Sequence, residues 1–141
     1  MEPSKKHSLA SEGAYVVEVT AATNHLDAVH ETLGRFWTGL SAPPDERWRL
    51  LFEVAVSEIA ANIVEHAQPA VMTFRLTAIS GCVVAEFQDS GIAWTGHPGP
   101  AAVLDELAER GRGLAMARTA VDEVAYRRVG TVNYWKLAKQ L

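Results

Sequence analysis

Residues 56–67 read Val56-Ser57-Glu58-Ile59-Ala60-Ala61-Asn62-Ile63-Val64-Glu65-His66-Ala67, and their reading governs how the rest of the chain is interpreted. Apolar residues occupy much of the helical circumference, as expected of a helix at the centre of a domain. Glu58, Asn62 and His66 stand four residues apart, which stacks three polar side chains on one helical face. Asn is a poor helix-interior residue because its amide competes for nearby backbone groups. A carboxylate one turn from a carboxamide suits a hard cation or a positioned hydroxyl. Glu58 and Asn62 are therefore candidate chemistry-bearing residues, and His66 reads as a packed or capping imidazole. A water-facing stripe without a role is the alternative.

Upstream, Pro43-Pro44 precedes Asp45, a suitable N-cap for this helix, and Pro69 closes it after Ala67. Residues Ala14–Thr20 are rich in β-branched and aromatic side chains and read as an edge strand. Asn24 is expected to cap a helix whose apolar residues Leu26, Val29, Leu33, Phe36, Trp37 and Leu40 recur at three- and four-residue intervals. Downstream, Val71–Ile79 and Cys82–Gln88 form a hairpin around Ser80-Gly81. A Gly/Pro-rich loop covers Asp89–Pro100, followed by a short helix at Ala101–Glu109, the sequence Gly111-Arg112-Gly113, and a helix over Leu114–Ala120. A second hairpin pairs Val124–Val129 with Thr131–Leu137 around Gly130. Regular βαβ alternation is missing, so a doubly wound sheet is disfavoured. The order predicts an α+β two-layer sandwich, with helices on one face of a mixed, mostly antiparallel sheet.

At 141 residues the chain suits one domain, expected over residues 14–141 behind a loose tail at Met1–Gly13. Thirteen Lys+Arg against seventeen Asp+Glu give a net charge of −4, without the basic block that direct DNA binding needs. The single cysteine, Cys82, cannot close an internal disulfide, so a reduced, cytoplasmic setting is the default. No run reaches the ~18 apolar residues of a membrane span, so no membrane association is expected. His7, His25, His30 and His97 show no metal-site spacing.

Two further segments carry polar chemistry. Phe87-Gln88-Asp89-Ser90-Gly91 ends an apolar strand in an acid and a turn glycine. Such an Asp is ordinary turn chemistry, and it also suits an exocyclic amine such as that of adenine. Gly91 would let a flat base approach the backbone. Gly111-Arg112-Gly113-Leu114 opens a helix, where backbone N–H groups and the helix dipole favour an anion such as phosphate. A ligand-free helix start is the alternative; the spacing is not that of a P-loop.

The succession of an acid–amide helix, a strand-end Asp-x-Gly, a flexible loop and a Gly-x-Gly helix start resembles the GHKL ATP-binding fold. Within it, the chain is similar to the RsbW/SpoIIAB-like anti-sigma factor serine kinases, from about Tyr15 to Leu137. Residues 56–67 match the N-box, Asp89-Ser90-Gly91 the G1 box and Gly111-Arg112-Gly113-Leu114 the G2 box. Val121-Asp122-Glu123-Val124 and Gly130-Thr131 match two later family motifs.

The resemblance implies ATP and Mg²⁺ as cofactors, with Asn62 as a Mg²⁺ ligand and Glu58 as general base. It implies that Asp89 accepts from the adenine amine, with Gly91 and Thr131 completing that pocket. Gly111, Arg112, Gly113 and Leu114 would offer backbone donors to the phosphates, and Arg112 a cation. It implies phosphorylation of a serine on a STAS-domain anti-sigma factor antagonist, sequestration of an alternative sigma factor, and a homodimer. Phe36 and Trp37 are either core residues or part of that dimer face. A switch module that holds nucleotide without transferring phosphate, or a stand-alone ATPase, remains open. Ala93 stands where the G1 box has a second glycine, and a positive φ there would cost alanine roughly 1–2 kcal/mol.

Overall fold

The computed structural model describes residues 14–95 and 114–141. The expected tail, residues 96–100 of the Gly/Pro-rich loop, the short helix at Ala101–Glu109 and Gly111-Arg112-Gly113 lie outside the described residues.

Strand β1 (Tyr15–Ala21) leads into helix α1 (His25–Gly39) and helix α2 (Glu46–Asn62), which continues as a π-helical turn, Ile63–Ala67. The hairpin β2 (Met72–Ile79) and β3 (Cys82–Asp89) follows. Helix α3 spans residues 114–120, and β4 (Glu123–Val129) and β5 (Val132–Gln140) form the second hairpin. The sheet order is β1-β2-β3-β5-β4, and every pairing is antiparallel. The architecture is α+β, with β1 at one edge as its sequence suggested.

Both hairpins follow from their turns. Ser80 and Gly81 take φ of 51° and 75°, the double positive φ whose twist matches the flanking strands. Gly130 has φ 61° at the β4–β5 turn. The first turn sets the register that brings the Phe74 and Phe87 rings to 4.7 Å, and the β3–β5 pairing puts Phe87 opposite Trp135. Alternation then directs Met72, Phe74 and Leu76, Val83, Ala85 and Phe87, and Trp135 and Leu137 to one face. On that face α1 buries Val29, Leu33, Phe36 and Trp37, and α2 buries Phe52, Ala55, Val56 and Ile59. Phe36 and Trp37 are thus core residues. Each fully buried ring or branched side chain contributes about 1.5–3 kcal/mol.

Local signals at the helix ends divide. Asp45 caps α2 through a 2.8 Å bond from the Trp48 N–H, as expected. Asn24 does not cap α1 with its side chain: its backbone is left-handed, at φ 50°, and only its carbonyl joins the helix, accepting from the Ala28 N–H at 3.0 Å. The second helix also does not run regularly to Ala67. Gln68, at φ 48°, donates its N–H to the Ile63 carbonyl five residues back at 3.2 Å, which widens the last turn into the π form.

Candidate functional site

The sheet end where β3 finishes and β5 begins gathers three buried polar residues, Asn62, Asp89 and Asn133. Asp89, the last residue of β3, is 3% exposed and stands opposite Asn133 of β5. Its Oδ1 accepts from the Gly91 N–H at 2.8 Å and from Asn133 Nδ2 at 3.0 Å. Its Oδ2 is buried with no hydrogen-bond partner among the described residues. A buried carboxylate oxygen left so costs about 1–3 kcal/mol or more, so a ligand amine would find a matched acceptor there.

Asn62, the last residue of α2, is also buried, and its Nδ2 has no partner among the described residues. The two ends of a carboxamide exchange on a half-turn, so the position can present a donor or an acceptor. Asn62, His66, Ala67, Trp94, Asn133 and Trp135 surround a cavity of only about 10 Å³. That is at the lower limit for one water molecule.

Trp94 accounts for the closure. Its ring meets His66 edge-on at 4.9 Å and Trp135 at 5.8 Å, and its backbone N–H donates to Tyr126 Oη at 3.0 Å. Its Nε1 is buried with no partner among the described residues.

Gly91 seats the strand-end turn on the π turn: a Cβ there would collide with the Ala67 carbonyl oxygen and stand 2.8 Å from its carbonyl carbon. The space beside this glycine is thus taken by Ala67 itself. Ala93 is not among the described non-glycine residues with positive φ, which are Asn24, Gln68 and Ser80, so it bears no left-handed strain.

The sequence profile of the histidine kinase-like ATPase domain matches residues 19–137. The chain belongs to this family. A solved structure of the RsbU and RsbW domains of a Mycobacterium tuberculosis protein matches with a TM-score of 0.58 at 21% identity, over 89% of this chain and 32% of that one. This chain spans about a third of that structure's length, and the likeness is one of fold. No curated protein matches the chain.

Within this histidine kinase-like ATPase domain, the expected polar stripe on α2 is divided. Asn62 and His66 face the cleft beside Trp94, whereas Glu58 lines a wider groove of about 390 Å³ between α1 and α2, with His30, Glu53 and Ser57. His30 Nε2 and Ser57 Oγ are 3.1 Å apart in that groove. Leu114 is buried at the start of α3, and Thr131 is exposed in the β4–β5 turn.

The residue that reaches Asp89 from the second hairpin is Asn133, which sequence reasoning missed. Asn is depleted in strands, and an Asn within Val132-Asn133-Tyr134-Trp135 was the available signal. Arg128, also missed, donates to the Gly91 carbonyl at 3.0 Å and to Asn133 Oδ1 at 2.9 Å.

The donor set fits Mg·ATP. Asp89 Oδ2 is a buried acceptor for an amine, and the Asn62 carboxamide is a neutral ligand of the kind Mg²⁺ takes alongside phosphate oxygens and waters. No helix among the described residues is long and apolar enough to cross a membrane.

Proposed function

We propose that this domain binds ATP with Mg²⁺ at the sheet end that carries Asn62 and Asp89, and transfers the terminal phosphoryl group to a serine of a STAS-domain anti-sigma factor antagonist. Sequestration of an alternative sigma factor, by a homodimer in the cytoplasm, completes the reading. The observation that carries the proposal is the unmatched pair of buried polar atoms, Asp89 Oδ2 and Asn62 Nδ2, at the same sheet end of a histidine kinase-like ATPase domain.

Bound Mg·ATP supplies the phosphoryl group and neutralises charge on its oxygens. The protein's part is positioning and proton transfer. Asp89 holds the base through its amine, and Asn62 supplies a neutral metal ligand. Glu58, one turn before Asn62 on α2, is the base of this reading and takes the proton of the attacking serine hydroxyl as ADP leaves. Leu114, with Gly111, Arg112 and Gly113 before it, offers the phosphates backbone donors at the start of α3. Thr131, in the β4–β5 turn, flanks the base pocket.

Incubation with Mg·ATP and a STAS-domain protein tests the proposal, with phosphoserine on that protein as the expected product and its loss in Glu58→Ala as the control. The indole filling the cleft favours a second reading, a nucleotide-responsive switch without transfer. ATP binding with no phosphoserine on any STAS partner would select it.

A further inference from the structure

Asn133 is held in a single orientation by its neighbours. Its Oδ1 accepts from Tyr126 Oη at 2.6 Å and from the Arg128 guanidinium at 2.9 Å. Arginine can only donate, so a flipped amide would set N–H against N–H. The Nδ2 group is thereby aimed at Asp89 Oδ1, 3.0 Å away, and at the carbonyls of Ile92 and Gly91 at 3.0 and 3.3 Å.

This arrangement decides how much of Asp89 a ligand can use. A carboxylate oxygen accepts about two hydrogen bonds. Oδ1 already has two, from Gly91 and Asn133, and only Oδ2 remains. A carboxylate with both oxygens free would grip the paired N1–H and N2–H donors of guanine in a bidentate fashion. One with a single free oxygen matches the lone exocyclic amine of adenine.

We infer that Asn133 is a specificity-determining positioning residue: by occupying Asp89 Oδ1 it makes the pocket select adenine over guanine nucleotides. Tyr126 and Arg128 act behind it by fixing its amide. The inference rests on the nucleotide-binding reading above.

Calorimetric titration of the whole chain with Mg·ATP and with Mg·GTP tests it, in the wild type and in Asn133→Ala. The ratio of the two affinities is the readout, because a general loosening of the site lowers both together. The wild type is expected to prefer ATP, and Asn133→Ala to lose about tenfold of that preference, the worth of one charge-assisted hydrogen bond. Asn133→Thr and Asn133→Val form a second pair, equal in shape and suited to a strand, that differ in a donor hydroxyl. Thr should keep most of the preference and Val should lose it. An unchanged ratio in both Ala and Val variants overturns the inference, as does a wild type that binds ATP and GTP equally. A wild type that binds neither nucleotide overturns the nucleotide reading itself.

Discussion

The Ile92 backbone N–H donates to the carbonyl of Ala67 at 2.9 Å, tying the turn after Asp89 to the π turn that ends α2. The two halves of the site, the Asn62 helix and the Asp89 strand, meet through this bond, and Gly91 makes the approach possible. Because Gly91→Ala sets a methyl group against the Ala67 backbone, which cannot rotate away, overpacking of about 1–3 kcal/mol is expected. Urea unfolding should show a lowered midpoint with an unchanged slope. An unchanged midpoint would mean that the two segments are not packed as described.

Trp94→Ala should move stability and ligand affinity in opposite directions. The ring's contacts with His66 and Trp135 are worth about 0.5–1.5 kcal/mol per pair, so thermal unfolding occurs at a lower temperature. Removing the indole also opens the cleft of about 10 Å³, so ATP affinity measured by calorimetry should rise. A fall in affinity would instead make the indole a surface on which the base stacks.

Asn62→Ala removes a buried amide whose Nδ2 has no partner among the described residues. Stability should therefore hold or increase, because an unmatched buried polar group is unfavourable to begin with. Mg·ATP binding should nonetheless be lost. Paired thermal melts and titrations check this, and joint loss of fold and binding would argue for a structural role.

Burial pushes the Cys82 thiol above its ordinary pKa, with the charge of Asp122 acting in the same direction. The thiolate fraction at neutral pH is correspondingly small, so alkylation should be slow at pH 7 and accelerate as pH rises through the elevated pKa. Rates of iodoacetamide labelling read this directly. Fast labelling at pH 7 would mean that the site is more open than its partial burial implies.

Much of the architecture is legible locally, because the deciding signals are short. Ser80-Gly81 and Gly130 announce their turns, Asp45 its cap, and the periodicity of α1 its buried stripe. What escapes is set by distant partners. The π turn depends on the Gln68 N–H reaching Ile63, which a regular helical pattern does not encode. It places His66 beside Trp94, while Glu58 lies in the groove against α1, so a stripe that looks continuous in sequence serves two faces. Asn133 meets Asp89 only through strand register across 44 residues, and Arg128 reaches Gly91 across 37. Asn24 misleads because the same residue type favours caps and left-handed backbone alike.

The most direct test of the account compares ATP with its analogue lacking the 6-amino group, titrated with Mg²⁺ into the wild type and into Asp89→Asn. Gly91 and Asn133 both donate to Oδ1, so the new NH₂ must take the place of Oδ2 and would face the purine amine donor to donor. The wild type should bind ATP about tenfold more tightly than the analogue, and Asp89→Asn should abolish or invert that preference. Equal binding of the two nucleotides by the wild type, or a preference that survives Asp89→Asn, would contradict the assignment of this carboxylate as the acceptor for the base.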